Sequence, residues 1–180
     1  MLPVNQISVE DFEATALPHI DDLFRTALRV IGNRGEAEDI VQETYLQAWK
    51  SFHRFQPGTN CRAWLFKILF HVIHHYRRRW FNIRLLRERE EVLEEMLIYE
   101  PNILETLSNE DILSALQKVP QQYREVLLLA DVEDFSYKEI AETLEIPIGT
   151  VMSRLSRARK LLKTELTRTI GAEKTRSIRA

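Results

Sequence analysis

The sequence predicts an all-α protein of two small helical domains joined by a linker, the C-terminal one a helix-turn-helix. Three observations predict it. Apolar residues recur at spacings of three and four, while alternating Val/Ile/Thr runs are missing. Capping residues stand ahead of five of the periodic runs: Ser8, Asn33, Asn60, Ser108 and Ser136. Between about Trp80 and Asn109 the pattern fades into Glu-rich sequence and Pro101-Asn102, which reads as a linker with some transient helix.

The elements follow in order. Ser8 caps a helix over Asp11–Leu17, and Pro18 suits the first turn of the next. Ile20, Leu23, Phe24, Ala27, Leu28 and Ile31 give that second helix its apolar face, and Gly32 ends it. Asn33 with Glu36 three residues on opens a third, whose expected core residues are Val41, Tyr45, Ala48, Trp49 and Phe52. Asp39, Gln42, Glu43, Leu46 and Lys50 fall on another face. Pro57-Gly58-Thr59-Asn60 breaks the chain, and Asn60 caps a fourth helix with Trp64, Leu65, Ile68, Val72 and Tyr76 as its buried stripe.

Beyond the linker, Ser108 and Asp111 start a helix that runs to Val119. Pro120 opens another through Val132, with Tyr123, Val126, Leu127 and Ala130 inward. Ser136 with Glu139 forms a capping box for a short helix packed through Ile140, Ala141 and Leu144. Pro147 closes a tight turn, and Val151, Leu155, Ala158 and Leu162 anchor the last helix. The tail after about Arg168 is basic and expected to fray.

The net charge of −2 argues weakly against a nucleic-acid partner, but its distribution reverses that impression. Residues 51–84 carry seven bases and no acid; residues 148–180 carry nine bases against two acids. Acidic stretches separate the two blocks, the pattern of two nucleic-acid contacts on one chain. Cys61 is the single cysteine, so no internal disulfide forms and a reducing, cytoplasmic setting is expected. No apolar run approaches a membrane span.

In a helix-turn-helix, the first residues of the second helix reach base edges in the major groove. Thr150, Ser153, Arg154 and Arg157 lie near one face there, while Arg159, Lys160 and Lys163 are better placed for phosphates. A helical hairpin used for protein contact is the competing reading. The turn chemistry, the capping box and the basic face together argue against it.

Two blocks, roughly Phe12–Arg79 and Ile112–Glu165, resemble the extracytoplasmic-function (ECF) sigma factors of bacterial RNA polymerase. The stretch Ile146-Pro-Ile-Gly-Thr-Val-Met-Ser-Arg-Leu-Ser-Arg-Ala-Arg159 is similar to the family's fourth conserved region. Ala37-Glu-Asp-Ile-Val-Gln-Glu-Thr-Tyr-Leu-Gln-Ala-Trp49, continued by Phe55-Gln-Pro-Gly-Thr-Asn-Cys-Arg-Ala-Trp-Leu-Phe-Lys-Ile68, is similar to its second. The resemblance divides the chain into region 2 (1–84), a linker (85–109), region 4 (110–168) and a basic tail (169–180).

The resemblance implies partners and roles. Asp39, Gln42, Glu43 and Leu46 match the face that binds core RNA polymerase. Phe55, Asn60, Arg62, Trp64 and Lys67, with Arg77, Arg78 and Arg79 beyond them, match the part that melts and reads the minus-ten promoter element. Trp64 reads as core ahead of base contact, and the helix C-terminus is by itself a sufficient explanation of the arginines. Thr150, Ser153, Arg154, Arg157, Arg159 and Lys160 match the reader of the minus-thirty-five element. An inhibitory anti-sigma factor is implied as a further partner.

His71, His74 and His75 depart from the family pattern. No carboxylate or thiolate stands at a matching spacing, so they are read as histidines beside the DNA path and no metal is expected. No nucleophile–base pair and no phosphate-cradling glycine loop is present, so no enzymatic activity, cofactor or small-molecule substrate is expected. Two rival functions remain to be separated. One is a dimeric operator-binding regulator, which leaves the basic, aromatic N-terminal segment unexplained. The other is a scaffold of the anti-sigma type, which leaves the basic recognition helix unexplained.

Overall fold

The computed structural model describes residues 8–87 and 109–177, and the side chains of residues 8–78 and 111–168. Among the described residues the elements are α1 (Val9–Ala16), α2 (Ile20–Ile31), α3 (Arg34–Ser51), α4 (Cys61–Arg87), α5 (Asn109–Lys118), α6 (Gln121–Asp131), α7 (Tyr137–Leu144) and α8 (Ile148–Ser177). Two 3-10 turns, Leu17–His19 and Phe52–Arg54, follow α1 and α3. Two compact units divide the chain: α1, α3, α4 and most of α2 in the first, α5–α8 in the second.

The first unit is organised around α4. Leu65, Phe66, Leu69, Phe70 and Ile73 are buried essentially completely. Each such side chain contributes roughly 1.5–3 kcal/mol by leaving water. This stripe differs from the sequence expectation. Trp64, Ile68 and Tyr76 are only half-buried, whereas Phe66, Leu69, Phe70 and Ile73, unmarked by periodicity, form the centre. The helix is apolar on more than one face, so periodicity does not select which face turns inward.

Similar corrections apply to α2 and α3. On α2, Leu23, Thr26 and Ala27 are buried while Ile20 stays exposed. Pro18 lies in the 3-10 turn rather than in α2 itself. On α3, Ala37, Ile40, Val41, Thr44 and Ala48 face the core, and Trp49 is 40% exposed. Thr44 is tolerated there because its hydroxyl donates to the Ile40 carbonyl at 2.7 Å.

The caps hold as read. Ser8 and Asp11 form a reciprocal capping box at α1. Asn33 accepts from the Glu36 amide at 3.0 Å, and Asn60 from the Ala63 amide at 3.0 Å. Gly32 ends α2 at φ +83°, where a side chain would be strained.

In the second unit, α6 is the central helix, with Arg124 through Leu129 all buried. Arg124 is a buried cation with a structural role. Its guanidinium donates to the carbonyls of Val119 (2.9 Å) and Gln117 (2.5 Å), closing the C-terminal end of α5. The capping box at α7 is complete: the Ser136 amide donates to Glu139 at 2.9 Å, and the Glu139 amide to Ser136 at 3.3 Å. Glu145 ends α7 in the left-handed region (φ 53°), a place glycine usually holds. The Pro147 carbonyl then accepts from the Thr150 and Val151 amides, starting α8.

Val151, Leu155 and Ala158 bury one face of α8 as expected, with Leu162 half-buried. The α8 backbone stays helical through Ser177, past the point where fraying was expected. α4 likewise extends to Arg87, past the expected domain end at 84. The linker lies almost wholly outside the described residues, as does the Ser108 cap.

Ser136→Ala should lower the stability of the second unit by about 1 kcal/mol, and Leu155→Ala by about 2–5 kcal/mol. Glu145→Gly should leave stability unchanged or raise it, because it relieves a left-handed non-glycine residue. Guanidinium chloride unfolding of the three variants checks all of these outcomes.

Candidate nucleic-acid interface

Burial of Val151, Leu155 and Ala158 dictates what α8 shows to solvent. At 3.6 residues per turn, the direction opposite this stripe falls on Gly149, Ser153, Ser156 and Lys160. Met152 and Arg157 flank it, both exposed. Thr150 and Arg154 sit on a shoulder and are half-buried. No acidic residue occurs on α8 before Glu165. The outward face is therefore small at its start, cationic further along, and uniformly attractive to a polyanion. Gly149 has nothing near the site of a Cβ, so the backbone itself lies open there.

Arg159 behaves differently from its neighbours. Its Nε donates to Asp131 Oδ2 at 3.1 Å and its Nη2 to Oδ1 at 2.5 Å. The guanidinium fork is thus matched to one carboxylate, the geometry of a bidentate pair. Lys160 and Lys163 are exposed.

In the first unit, the residues around the loop after α3 fall into two groups. Phe55 and Trp64 are half-buried and pack together, ring centres 5.1 Å apart. Phe55 stacks on Phe52 at 5.6 Å, and Phe52 meets Phe12 edge-on at 5.1 Å. This ladder holds the loop against α1 and α4 and leaves Phe55 and Trp64 only partly open. Arg62 is also engaged. Its Nε reaches Asp22 at 3.3 Å, and its guanidinium lies over the Phe66 ring at 5.1 Å.

The second group lines the outside of α4. Lys67, His71, His75 and Arg78 are exposed and fall on one stripe by their spacing. Arg77 is half-buried, and His74 lies beside Phe70 at 6.4 Å between ring centres. Asn60 is exposed at the helix start. His71 and His75 thus lie between two cations, Lys67 and Arg78, on one exposed stripe. Among the described residues no group of three or more His, Cys, Asp or Glu is placed to hold a metal ion. The side chain of Arg79 lies outside the described residues.

On α3, Asp39, Gln42, Glu43 and Leu46 are all exposed on one stripe, Leu46 at 46%. The Glu43 carboxylate accepts from the Gln47 side-chain Nε2 at 3.0 Å and lies at the surface. An apolar side chain set among carboxylates suits a basic partner with an apolar ridge.

Two families match this chain: the Sigma-70 region 2 family over residues 17–81 and the Sigma-70 region 4 family over residues 109–162. The ECF RNA polymerase sigma factor EcfG of Rhodopseudomonas palustris is 36% identical over 151 residues, 83% of this chain and 82% of the relative. The chain belongs to the ECF sigma factors. The ECF sigma factor SigE of Mycolicibacterium smegmatis is 31% identical over 166 residues, 90% of this chain but 64% of the relative. Among solved structures, the sigma factor RpoE of Bartonella quintana, in complex with the anti-sigma factor NepR, shares the fold with a TM-score of 0.75. It is 31% identical, covering 88% of this chain and 98% of that one. CnrH, in complex with the cytosolic domain of CnrY, has a TM-score of 0.64 at 26% identity, covering 91% of this chain and 92% of that one.

In this sigma factor the structure brings Ser153, Arg157 and Lys160 together outward, and sets Thr150 and Arg154 at the shoulder. Sequence reasoning passed over Met152 and Ser156, which share the outward side. Placing Val151, Leu155 and Ala158 inward and reading the opposite direction of the helix would have found them.

Cys61 sits buried at the start of α4, and burial pushes its thiol above the ordinary 9.0. Burial also raises the Tyr45 phenol, with Cys61, Asp21 and Asp22 adding to the effect. Tyr45 donates to the Ala16 carbonyl at 2.8 Å, tying α3 to α1. Both groups are held neutral by the fold. Their stabilisation is fully present at neutral pH and is lost as the pH rises past their ordinary values towards the raised ones. Unfolding followed from pH 7 upward should show stability declining above about pH 9, with the thiol's share absent in Cys61→Ala. Iodoacetamide should modify Cys61 far more slowly in the folded chain than in guanidinium chloride.

Proposed function

We propose that this chain is a dissociable promoter-specificity subunit that binds core RNA polymerase through its first unit and promoter DNA through both. The observation that carries the reading is the outward face of α8. Ser153, Arg157 and Lys160 stand together there, with no acid on the helix before Glu165. Arg157 reads a base edge, since an arginine can bind guanine O6 and N7 with both arms. Lys160 and Lys163 grip phosphate and set register without reading sequence.

The first unit supplies the remaining roles. The stripe of Lys67, His71, His75 and Arg78 tracks the DNA backbone, with its charge supplied by Lys67 and Arg78. Phe55 and Trp64 act as a preformed wall beside the strand rather than as fully inserted stacking plates, because each already packs against the other. Arg62, held by Asp22 and Phe66, fixes the start of α4 and reaches DNA only by leaving that pair. Asp39, Gln42, Glu43 and Leu46 form the polymerase-binding face. The protein performs no bond chemistry of its own, needs no cofactor and works in the cytoplasm, where its DNA and polymerase partners are. No helix among the described residues is long and apolar enough to cross a membrane. The likeness to RpoE bound to NepR and to CnrH bound to CnrY supports an anti-sigma factor as the partner that holds this chain inactive.

The test is transcription by purified core RNA polymerase on a pool of genomic fragments, with and without this chain. Discrete start sites only when both are present support the reading. A folded chain that binds DNA alone and directs no initiation overturns it in favour of an operator-binding regulator. Arg157→Ala should cost about 1–3 kcal/mol at the upstream element and relax preference at one base position. Lys160→Ala should weaken all sequences alike and reduce the salt slope by about 1. Glu43→Lys should abolish co-purification with core polymerase while leaving chain stability within about 0.5 kcal/mol.

A further inference from the structure

The geometry assigns Asp131 and Arg159 a positioning role: the pair clamps the recognition helix α8 to the end of α6 and sets the angle at which α8 meets DNA. The inference rests on the reading that the second unit binds the upstream promoter element. It removes Arg159 from the set of phosphate contacts in which its charge and position would place it.

Three observations carry it. First, both arms of the Arg159 fork are spent on one carboxylate, at 3.1 and 2.5 Å. Reaching a phosphate would mean breaking a bidentate, charge-assisted pair. Second, Arg159 leaves α8 about a quarter to a third of a turn away from Lys160 and Ser153, on the side turned to α6 and α7. Tyr137, the first residue of α7, faces the same guanidinium. One side chain of α8 therefore faces both α6 and α7. Third, Asp131 is the last residue of α6, where a carboxylate is disfavoured by the helix dipole. It also lies beside a helix meant for a polyanion. Arg159 neutralises it and converts an unfavourable charge into a tie.

The pair remains at the surface, with side chains 54% and 35% exposed, so it adjusts the pose of α8 rather than holding the unit folded. Apolar contacts are non-directional, so the stripe of Val151, Leu155 and Ala158 does not by itself fix the roll of α8 about its axis. A fixed contact on the α6 side limits that roll and keeps Ser153 and Arg157 aimed at the same bases.

The clamp and a phosphate contact make opposite predictions for Asp131→Asn. Full-length chain, reconstituted with core RNA polymerase, would be titrated onto a promoter fragment found by the transcription screen, at several salt concentrations. The variants are Asp131→Asn, Arg159→Gln, the double substitution and the charge swap Asp131→Arg with Arg159→Asp. With a clamp, the two single variants weaken promoter binding to a similar degree, by roughly three- to fivefold. The double substitution is no worse than either one. The salt slope stays unchanged, and the swap restores most of the loss.

If Arg159 instead contacts phosphate, Asp131→Asn tightens binding and steepens the slope of log K against log salt. Arg159→Gln then weakens binding and flattens that slope by about 0.9, the value for one phosphate on duplex DNA. That result overturns the clamp, as does the absence of any effect from both single variants. Arg157→Ala serves as the control in the same assay. If it too leaves promoter binding unchanged, the reading of α8 as the DNA-contacting helix fails, and the failure is not that of the clamp.

Discussion

The arrangement of the second unit follows from the burial of one stripe on α8. Val151, Leu155 and Ala158 are almost fully withdrawn from water. A helix held by one face must present the opposite face, and at 3.6 residues per turn that face begins with Gly149 and Ser153 and ends in cations. The residues that hold the neighbours in place serve the same end. Arg124 closes α5, Ser136 and Glu139 start α7, and Glu145 accepts a left-handed conformation so that α8 can turn away after Pro147. The strain at Glu145 is local and modest beside the apolar area that the turn brings together.

The first unit solves a different problem. Its DNA-facing candidates lie on a loop, and a loop has little packing of its own. The ladder from Phe12 through Phe52 to Phe55 and Trp64 supplies it, fixing the loop to two helices by edge-on and stacked rings. Such preorganisation matters wherever a loop meets a ligand, because ordering the loop upon binding would subtract from affinity.

Charge is sorted by position in both units. Arg62, Arg124 and Arg159 each have carboxylate or carbonyl partners within the protein. Arg157, Lys160 and Lys163 point outward on α8. Three arginines thus hold the frame, while other basic side chains stay exposed on the surface. The planar fork of arginine suits the first task, since it matches a carboxylate or a pair of carbonyls with fixed geometry. A net charge of −2 is therefore no obstacle to DNA binding, because the acids are concentrated on other surfaces, such as the α3 stripe.

The sequence by itself determined the all-helical class, the N-caps at Ser8, Asn33, Asn60 and Ser136, the turn at Pro147 and the inward stripe of α8. These are short-range matters, settled by residues within one or two turns of each other. It also carried the family, through two motifs in a set order. The tertiary structure decided which face of α4 is core, why Trp49 stays partly exposed, and which basic side chains are engaged. Phe66 replaces Trp64 at the centre because α4 is apolar on several sides, and only its neighbours choose among them. Arg62 and Arg159 read as DNA contacts in the sequence because a basic residue beside a motif looks the same whether or not a carboxylate lies across from it. Asp22 is 40 residues from Arg62, and Asp131 is 28 from Arg159. Only folding brings such partners within reach, so the use of each charge could not be read until the helices were packed.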